Sequence, residues 1–367
     1  MILHSKYKRQ IRQILVFGVI WLLFGFIYIL LEFGLLGELE HYPTTGNRYS
    51  FKESFFIVNI GSLFMGLFQG CIEVLWMRAY FSKLALWKKF VYKSIFYLVL
   101  IILFISVLTI IFNAILLDSP VFSQKIFESL LEFMSKFSFW VIVIYTGVIL
   151  DIALFYSEIE AYLGSNVLMN YLGKYHTPNQ EKRIFMFLDM KSSTTIAEGI
   201  GHERYFELLK TYYADMTNAI LETSGEVYQY VGDEIVVTWK EKKGIEKNNC
   251  IYCFIKISET IHKNKEHYMK QFGLVPEFKA GYHIGEVTAG EIGIIKKDII
   301  YTGDVLNTTA RIQSECNTYN SKTLISEELF NKLKEADGYS FNKIDKLLLQ
   351  GKKEHIQLYD VIYNGLI

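Results

Sequence analysis

Four long apolar stretches, all before residue 160, place the tightest limit on how this chain of 367 residues can fold. A bilayer core needs about 20 consecutive apolar residues in helical form. The four stretches are Ile14–Leu36, Phe55–Met77, Phe96–Leu117 and Phe137–Phe155. The first is too long for a cleaved signal peptide and lacks a small-residue cleavage site. The pattern predicts an α-helical, four-span membrane domain over residues 1–156, in contact with membrane lipid.

The basic residues of the connecting segments predict the orientation of this domain. They cluster before the first stretch and after the second, at Lys6, Lys8, Arg9, Arg12, Arg78, Lys83, Lys88, Lys89 and Lys93. Basic loops stay on the cytoplasmic side. We therefore expect an integral protein of the inner or cell membrane with both termini in the cytoplasm, where nucleoside triphosphates are found.

Three acidic residues interrupt the apolar stretches: Glu32, Glu73 and Asp151. A carboxylate that faces lipid at mid-bilayer costs a few kcal/mol, roughly, on insertion scales. One interpretation is a sensing site inside the helix bundle. The other is a set of carboxylates near the interface that accept hydrogen bonds from neighbouring helices.

Charge and cysteine content exclude some classes of partner and site. The net charge is +0, and no basic block interleaved with aromatic residues is present, so we expect no nucleic-acid partner. Cys250 and Cys253 form a CxxC inside an apolar, helix-like run with no second ligand pair. This context predicts two buried core cysteines rather than a metal site.

After residue 157 the hydrophobic pattern changes from long apolar stretches to short strands and amphipathic helices. Residues 157–180 are typical of a helical linker, and residues 181–367 of an α+β domain with the ferredoxin-like order of elements. The predicted strands are Arg183–Asp189, Glu226–Val231, Glu234–Trp239, Phe278–Ile284, Val287–Ile292 and Ile299–Thr302. The predicted helices are Glu203–Thr223, Asn249–Phe272 and Val305–Cys316.

Two aspartates in this domain are candidate metal ligands. Asp189 ends the first strand, and Asp233 lies in the tight turn of a predicted hairpin. In a ferredoxin-like sheet the first strand lies beside that hairpin, so the two carboxylates can converge. Mg²⁺ prefers one or two carboxylates together with phosphate oxygens. The pair predicts a site for two Mg²⁺ or Mn²⁺ ions; the alternative is a structural role for two solvated carboxylates.

Three motifs give the pair a specific context. They are Phe187–Thr194 (FLDMKSST), Tyr230–Glu234 (YVGDE) and Gly303–Arg311 (GDVLNTTAR). In this order they closely resemble the class III adenylate and guanylate cyclases of the bacterial membrane-bound type, and the resemblance covers about Arg183 to Asp360.

The resemblance implies a role for each matching residue. Asp189 and Asp233 match the metal-binding aspartates, while Asn307 and Arg311 match the residues that orient the ribose and stabilise the transition state. In the family the latter two come from the partner chain, which implies a head-to-tail homodimer. The implied activity is conversion of ATP to 3′,5′-cyclic AMP and pyrophosphate by two-metal catalysis at the dimer interface.

Three positions depart from the family pattern. Gln229 stands where adenylate cyclases usually carry Lys, and Ile300 stands where they carry Asp or Thr; both positions contact the purine. Near the C-terminus the family often has Lys beside a Gly to contact the terminal phosphates, but Gln350 precedes Gly351 here, which leaves Lys352 or Lys353 for that role.

These departures leave alternatives to an adenylate cyclase. One is a cyclase for another base, either a pyrimidine or guanine, although the Glu usual in guanylate cyclases is absent at Gln229. Another is a receptor that binds nucleotide without turnover. A diguanylate cyclase is disfavoured because the turn at Asp233 lacks the first Gly and the Phe of the GG(D/E)EF motif.

Overall fold

The computed structural model describes residues 5–37, 39–43, 46, 48–81, 84–116, 118–163, 175–295, 297–334, 338–348 and 355–363. The chain divides into two compact units, one over Tyr7–Leu168 and one over Met169–Ile367 together with Met1–Lys6.

The unit over Tyr7–Leu168 is helical. Its helices are α1 (Ser5–Leu36), α2 (Phe51–Ile72), α3 (Leu86–Leu116), α4 (Gln124–Ser135) and α5 (Phe137–Leu163). Among the described residues, four helices are long and apolar enough to cross a membrane: Tyr7–Leu36, Phe51–Tyr80, Leu86–Ile115 and Phe137–Ala161. They contain the four predicted stretches apart from Leu116, which follows the third span, and Leu117, which lies outside the described residues. Large apolar side chains point outward along these helices, as expected of helices surrounded by lipid.

A buried polar network joins three of these helices. The ammonium of Lys93 on α3 donates to Glu73, which opens a π-helical turn (Glu73–Met77) at the end of α2, and to Glu158 Oε1 on α5 at 2.6 Å. Tyr97 Oη donates to Glu73 Oε2 at 3.3 Å. The sequence pattern predicts Lys93 in a connecting segment, but it lies two turns inside α3 and is only 1% exposed.

Each acidic residue of the apolar stretches accepts a hydrogen bond. Besides the pair of Lys93 and Glu73, Ser94 Oγ donates to Asp151 Oδ1 at 2.6 Å, and Tyr42 Oη donates to Glu32 Oε1 at 3.2 Å. These contacts agree with the interpretation as hydrogen-bonded carboxylates.

The second unit is a mixed α+β domain. Its strands are β1 (Asn179–Met190), β2 (Glu226–Val231), β3 (Glu234–Lys240), β4 (Phe278–Ile292), β5 (Asp298–Thr302), β6 (Thr323–Ser326), β7 (Tyr339–Leu347) and β8 (Ile356–Tyr363). Its helices are α6 (Ser193–Ile200), α7 (His202–Glu222), α8 (Glu241–Ile245), α9 (Asn249–Lys263), α10 (Lys265–Phe272), α11 (Asp304–Thr318) and α12 (Glu327–Phe330).

The strands form one sheet in the order β2-β3-β1-β4-β6-β8-β7, with β5 paired to β4. Strand β1 therefore lies between the β2–β3 hairpin and β4, as the ferredoxin-like pattern predicts. The predicted strands Phe278–Ile284 and Val287–Ile292 are one continuous strand, because Gly285 stays paired with Arg183 of β1. The predicted helix Asn249–Phe272 is divided at Asn264, whose backbone leaves the helical region and whose side chain donates to Asp215.

The predicted linker, residues 157–180, is described only at its two ends. It is helical through Leu163, and β1 begins at Asn179, earlier than the predicted Arg183. Residues 164–174 lie outside the described part of the chain, so the boundaries of the linker stay a prediction.

The two faces of the sheet carry different layers. Ile184, Met186 and Leu188 of β1 pack under α7 and α9 in a core that includes Cys250 and Cys253, so the prediction of buried cysteines is confirmed. Because side chains alternate along a strand, Phe185 and Phe187 point to the opposite face. There they pack with Val305 of α11.

Candidate active site

The structure brings the two predicted aspartates together at one edge of the sheet. Leu188 of β1 pairs with Ile235 of β3, so the next residue of β1, Asp189, lies beside the β2–β3 turn that carries Asp233. Gly232 has φ +62° in this turn, a conformation that glycine adopts without strain. Burial, and then a contact with the Asp233 carboxyl, raises the pKa of Asp189 to about 6.

Electrostatics at this edge favour a bound cation. Asp233 Oδ2 is buried and has no hydrogen-bond partner among the described residues. Burial, and then the charges of Asp189 and Asp233, raises the pKa of Glu234 to about 7. Carboxyl groups that disfavour one another's ionised form are stabilised by a divalent ion between them.

The residues present fit Mg²⁺ or Mn²⁺ that is shared with a ligand. Within the described ranges, no group of three or more His, Cys, Asp or Glu side chains is placed to hold a metal by itself. Asp189 and Asp233 thus supply only part of a coordination sphere. Mg²⁺ in particular completes such a sphere with phosphate oxygens and water.

Three further side chains hold the aspartates in place. Gln313 Nε2 of α11 donates to Asp189 Oδ2 at 3.2 Å, and Lys279, the neighbour of Asp189 on β4, places its Nζ 3.7 Å from the same oxygen. Tyr213 Oη donates to the carbonyl of Gly232 at 2.8 Å. Sequence reasoning missed all three, because each contact depends on the packing of α7, β4 or α11 against distant elements.

We expect Tyr213→Phe to loosen the turn that carries Asp233. The change removes one hydrogen bond worth about 1 kcal/mol, so we expect the dissociation constant for Mn²⁺ to rise about fivefold. Titration with Mn²⁺, in which the paramagnetic signal of the free ion is followed, measures this dissociation constant. Tyr319→Phe is the control, since that hydroxyl has no partner in the described structure. Equal Mn²⁺ affinity in the two variants would contradict a positioning role for Tyr213.

Helix α11 carries Asn307 and Arg311, the other predicted pair. The backbone of α11 passes so close to β4 that a Cβ at Gly281 would lie 2.3 Å from the Gln313 nitrogen. Asn307 is exposed and Arg311 half-buried, and neither side chain bonds to any residue that the structure describes. At about 100° per residue, Gln313 and Arg311 are separated by about 160° around the helix axis, and Gln313 and Asn307 by about 120°. Gln313 faces Asp189, so Asn307 and Arg311 point away from this chain's own carboxylates.

The two positions that depart from the family pattern lie on β2 and β5. Gln229 is exposed on β2, and Ile300 is half-buried on β5, where it pairs with Gly290 of β4. The two strands are in contact next to these residues: the ring centroids of Tyr228 on β2 and Tyr301 on β5 lie 5.1 Å apart. Lys352, the predicted phosphate ligand, lies outside the described residues, as do Gln350, Gly351 and Lys353.

Comparison with known proteins covers this second unit. The profile of the adenylate and guanylate cyclase catalytic domain matches residues 176–362. Adenylate cyclase 2 of Rhizobium meliloti (strain 1021) is 37% identical over 182 residues, or 49% of this chain and 50% of the relative. The adenylate cyclase of Anabaena cylindrica is 27% identical over 183 residues, or 48% of this chain and 36% of the relative. The chain thus spans half or less of the length of these curated relatives.

One solved structure shares the fold over a longer part of the chain. A bacterial light-regulated adenylyl cyclase superposes with a TM-score of 0.52 at 18% identity, covering 62% of this chain and 66% of that one. At this identity the likeness is one of fold.

Proposed function

We propose that this chain, which belongs to the adenylate and guanylate cyclase catalytic-domain family, is a membrane-anchored cyclase that converts ATP to 3′,5′-cyclic AMP and pyrophosphate. The observation that carries the proposal is the half-buried pair of Asp189 and Asp233, with one Asp233 oxygen left without a partner in the described structure. The curated relatives, both named adenylate cyclases, support the choice of product.

The reaction that fits the site is an internal displacement at phosphorus. The ribose 3′-oxygen attacks the α-phosphorus, the bond from that phosphorus to the bridging oxygen of the β-phosphate breaks, and the 3′-hydroxyl proton passes to water. Two divalent ions, when bound, supply charge stabilisation for the attacking and leaving oxygens. Asp189 and Asp233 would hold these ions together with the phosphates.

The other two residues act on the sugar and on the charged phosphate. The guanidinium of Arg311 presents a fork of donors to the α-phosphate oxygens, where charge builds up in the transition state. Asn307, one helical turn earlier, hydrogen-bonds the ribose and aligns its 3′-hydroxyl. Lys352 is our candidate for the terminal phosphates.

A head-to-tail homodimer reconciles these roles with the geometry of one chain. Because Asn307 and Arg311 point away from this chain's own aspartates, they fit a nucleotide held by the aspartates of a second copy. A two-fold arrangement then yields two composite sites. The hairpin between β4 and β5 supports such a partner, since Ile294 and Ile295 near its tip are 98% and 104% exposed.

Replacement of the hairpin isoleucines tests the second copy as their partner. We expect the double variant Ile294→Asp/Ile295→Asp to weaken dimerisation and to reduce specific activity at least about tenfold at low protein concentration, because two apolar contacts would become buried charges. Mass photometry in detergent reports the dimer fraction. Met269→Asp, at an exposed apolar position on α10, is the control. A double variant that stays dimeric and active would show that the hairpin tip lies outside the interface.

Membrane anchoring is proposed from the helical unit. In the part of the chain that the structure describes, four helices have the length and composition of membrane spans, and the basic residues near their ends favour cytoplasmic termini. The catalytic domain would then have access to cytoplasmic ATP.

Product identification tests the proposal as a whole. The full chain, purified in detergent, is supplied with ATP, GTP, CTP or UTP and with Mg²⁺ or Mn²⁺, and products are identified by mass spectrometry with Asp233→Ala as control. We expect cyclic AMP from the unmodified chain alone, because Gln229 can donate to and accept from adenine.

The same assay decides between the alternatives. Ile300 has no side-chain hydrogen-bonding group, which is the observation that favours a cyclase for another base. A pyrimidine or guanine product would overturn ATP as substrate. Absence of product in every condition would overturn turnover and favour a nucleotide-binding receptor.

A further inference from the structure

Arg183 of β1 carries a fully buried charge, and it takes no part in the reaction proposed above. Its Nη1 donates to Tyr301 Oη of β5 at 2.5 Å, and its Nη2 donates to Glu226 Oε2 of β2 at 2.5 Å. The guanidinium carbon also lies 4.7 Å from the centroid of the Tyr301 ring. One buried guanidinium therefore holds a side chain of β2 and a side chain of β5.

Side chains set the distance between these two strands. Within the described sheet, β2 pairs with β3 and β5 pairs with β4, so β2 and β5 share no strand pairing. Besides the contacts of Arg183, they are joined by the rings of Tyr228 and Tyr301 and by the Tyr301 amide, which donates to Tyr228 Oη at 3.4 Å. The separation of β2 and β5 thus depends on this one cluster.

A guanidinium suits the task of holding two acceptors at a fixed separation. Its planar fork presents donors at fixed angles, whereas a lysine ammonium is a compact point charge on a flexible stem. Two carboxylates balance the buried charge, since Glu181 Oε2 lies 3.6 Å from Nη1 in addition to the contact with Glu226. A buried ion pair is weak evidence for stability, so a role in setting geometry is the better explanation to test.

The strands that Arg183 joins carry the two positions expected to contact the base. Gln229 follows Tyr228 on β2, and Ile300 precedes Tyr301 on β5. We propose that Arg183 is a positioning residue for the nucleotide base: it fixes the separation of Gln229 and Ile300 and thereby the fit of a purine against them. This inference rests on the proposed function and adds a specificity-determining residue to it.

Arg183 lies far from the proposed metal ligands. At about 3.3 Å per residue, Arg183 and Asp189 are about 20 Å apart along β1. A change at Arg183 should therefore alter recognition of the base and leave the affinity for Mn²⁺ unchanged. A general loss of structure would alter both.

The test compares Arg183→Lys and Tyr301→Phe with the unmodified full chain in detergent. Arg183→Lys keeps the charge but loses the fork, and should raise KM for ATP at least about fivefold with kcat changed less than about twofold, because the base contact is the same in the ground and transition states. The ratio of kcat/KM for ATP over GTP should fall at least about threefold, since a looser site discriminates less. The dissociation constant for Mn²⁺ should change less than about twofold.

Tyr301→Phe removes one acceptor of Arg183 and leaves its pair with Glu226, so it keeps the test valid if Arg183→Lys does not fold. We expect its KM for ATP to rise at least about threefold. Tyr319→Phe is the matched control and should change neither KM nor the ratio. Unchanged KM and ratio in a folded Arg183→Lys or Tyr301→Phe, or a fall in Mn²⁺ affinity equal to the rise in KM, would overturn a positioning role.

A binding measurement separates this inference from the proposed reaction. Calorimetric titration with an ATP analogue whose α- and β-phosphorus atoms are joined by CH₂ reports base recognition without turnover. If the unmodified chain makes no cyclic nucleotide but binds this analogue, weaker binding by Arg183→Lys would overturn the reaction and uphold the role of Arg183. Equal binding by the two chains would overturn the role of Arg183, whatever the reaction.

Discussion

Asp189→Ala and Arg311→Ala are each expected to lose nearly all cyclase activity as single variants, and to recover part of it when the two chains are produced together. Loss of a metal ligand, or of the guanidinium that meets the transition-state charge, removes several kcal/mol of stabilisation and should lower kcat at least about 100-fold. The rate of cyclic AMP formation per milligram of purified protein measures this loss of activity.

The recovery follows from the geometry of α11. Gln313 faces Asp189 of its own chain at 3.2 Å, whereas Arg311 lies on the other side of the helix. In a mixed dimer both lesions then fall in one composite site and the other site is intact. With random pairing, half of the dimers are mixed, so the mixture should reach about one quarter of the unmodified activity.

The matched control is a mixture of Asp189→Ala with Asp233→Ala. Both residues act on the same side of the site, so every site of every dimer keeps a lesion and activity should not return. Recovery in this control, or none in the mixture of Asp189→Ala with Arg311→Ala, would show that the four residues act within one chain.

Much of the fold was predictable because it depends on local pattern. Apolar stretches of bilayer length and the alternation of strands and helices locate the membrane helices and the domain without any tertiary information. The pattern misled at Gly285, where a Gly-Glu pair reads as a turn although its backbone is held in the sheet by β1. The pattern also missed β6, β7 and β8, which have no counterpart among the predicted strands.

The candidate site was predictable only where its residues stand at the ends of elements. Asp189 and Asp233 could be placed together because a strand end and its neighbouring turn must meet. The contacts of Lys279 and Gln313 with Asp189 could not be predicted, since they depend on the pairing of β4 with β1 and on the packing of α11 against β4. The contact of Gln229 and Ile300 with adenine depends on how the nucleotide binds and stays a prediction.

Lys93 shows the largest difference between pattern and packing. A lysine a few residues before an apolar stretch reads as a loop charge that sets orientation. In the structure it is 1% exposed and lies between Glu73, which is fully buried, and Glu158, which is 7% exposed. A buried cation with two carboxylate partners holds α2, α3 and α5 together at this level of the bundle.

Lys93→Met is therefore expected to lower the free energy of unfolding of the helical unit by about 3–5 kcal/mol, because it leaves two buried carboxylates without a cation. Thermal and denaturant unfolding of the full chain in detergent measures the change.

The triple variant Glu73→Gln/Lys93→Met/Glu158→Gln should recover most of the loss, since it removes every charge of the network and leaves groups that still hydrogen-bond. Lys88→Met, at an exposed position on the same helix, is the control and should change stability by no more than about 0.5 kcal/mol. If Lys93→Met unfolds like Lys88→Met, the network contributes no buried charge pairing; if the triple variant is no more stable than Lys93→Met, the loss comes from packing of the lysine stem rather than from unpaired charge.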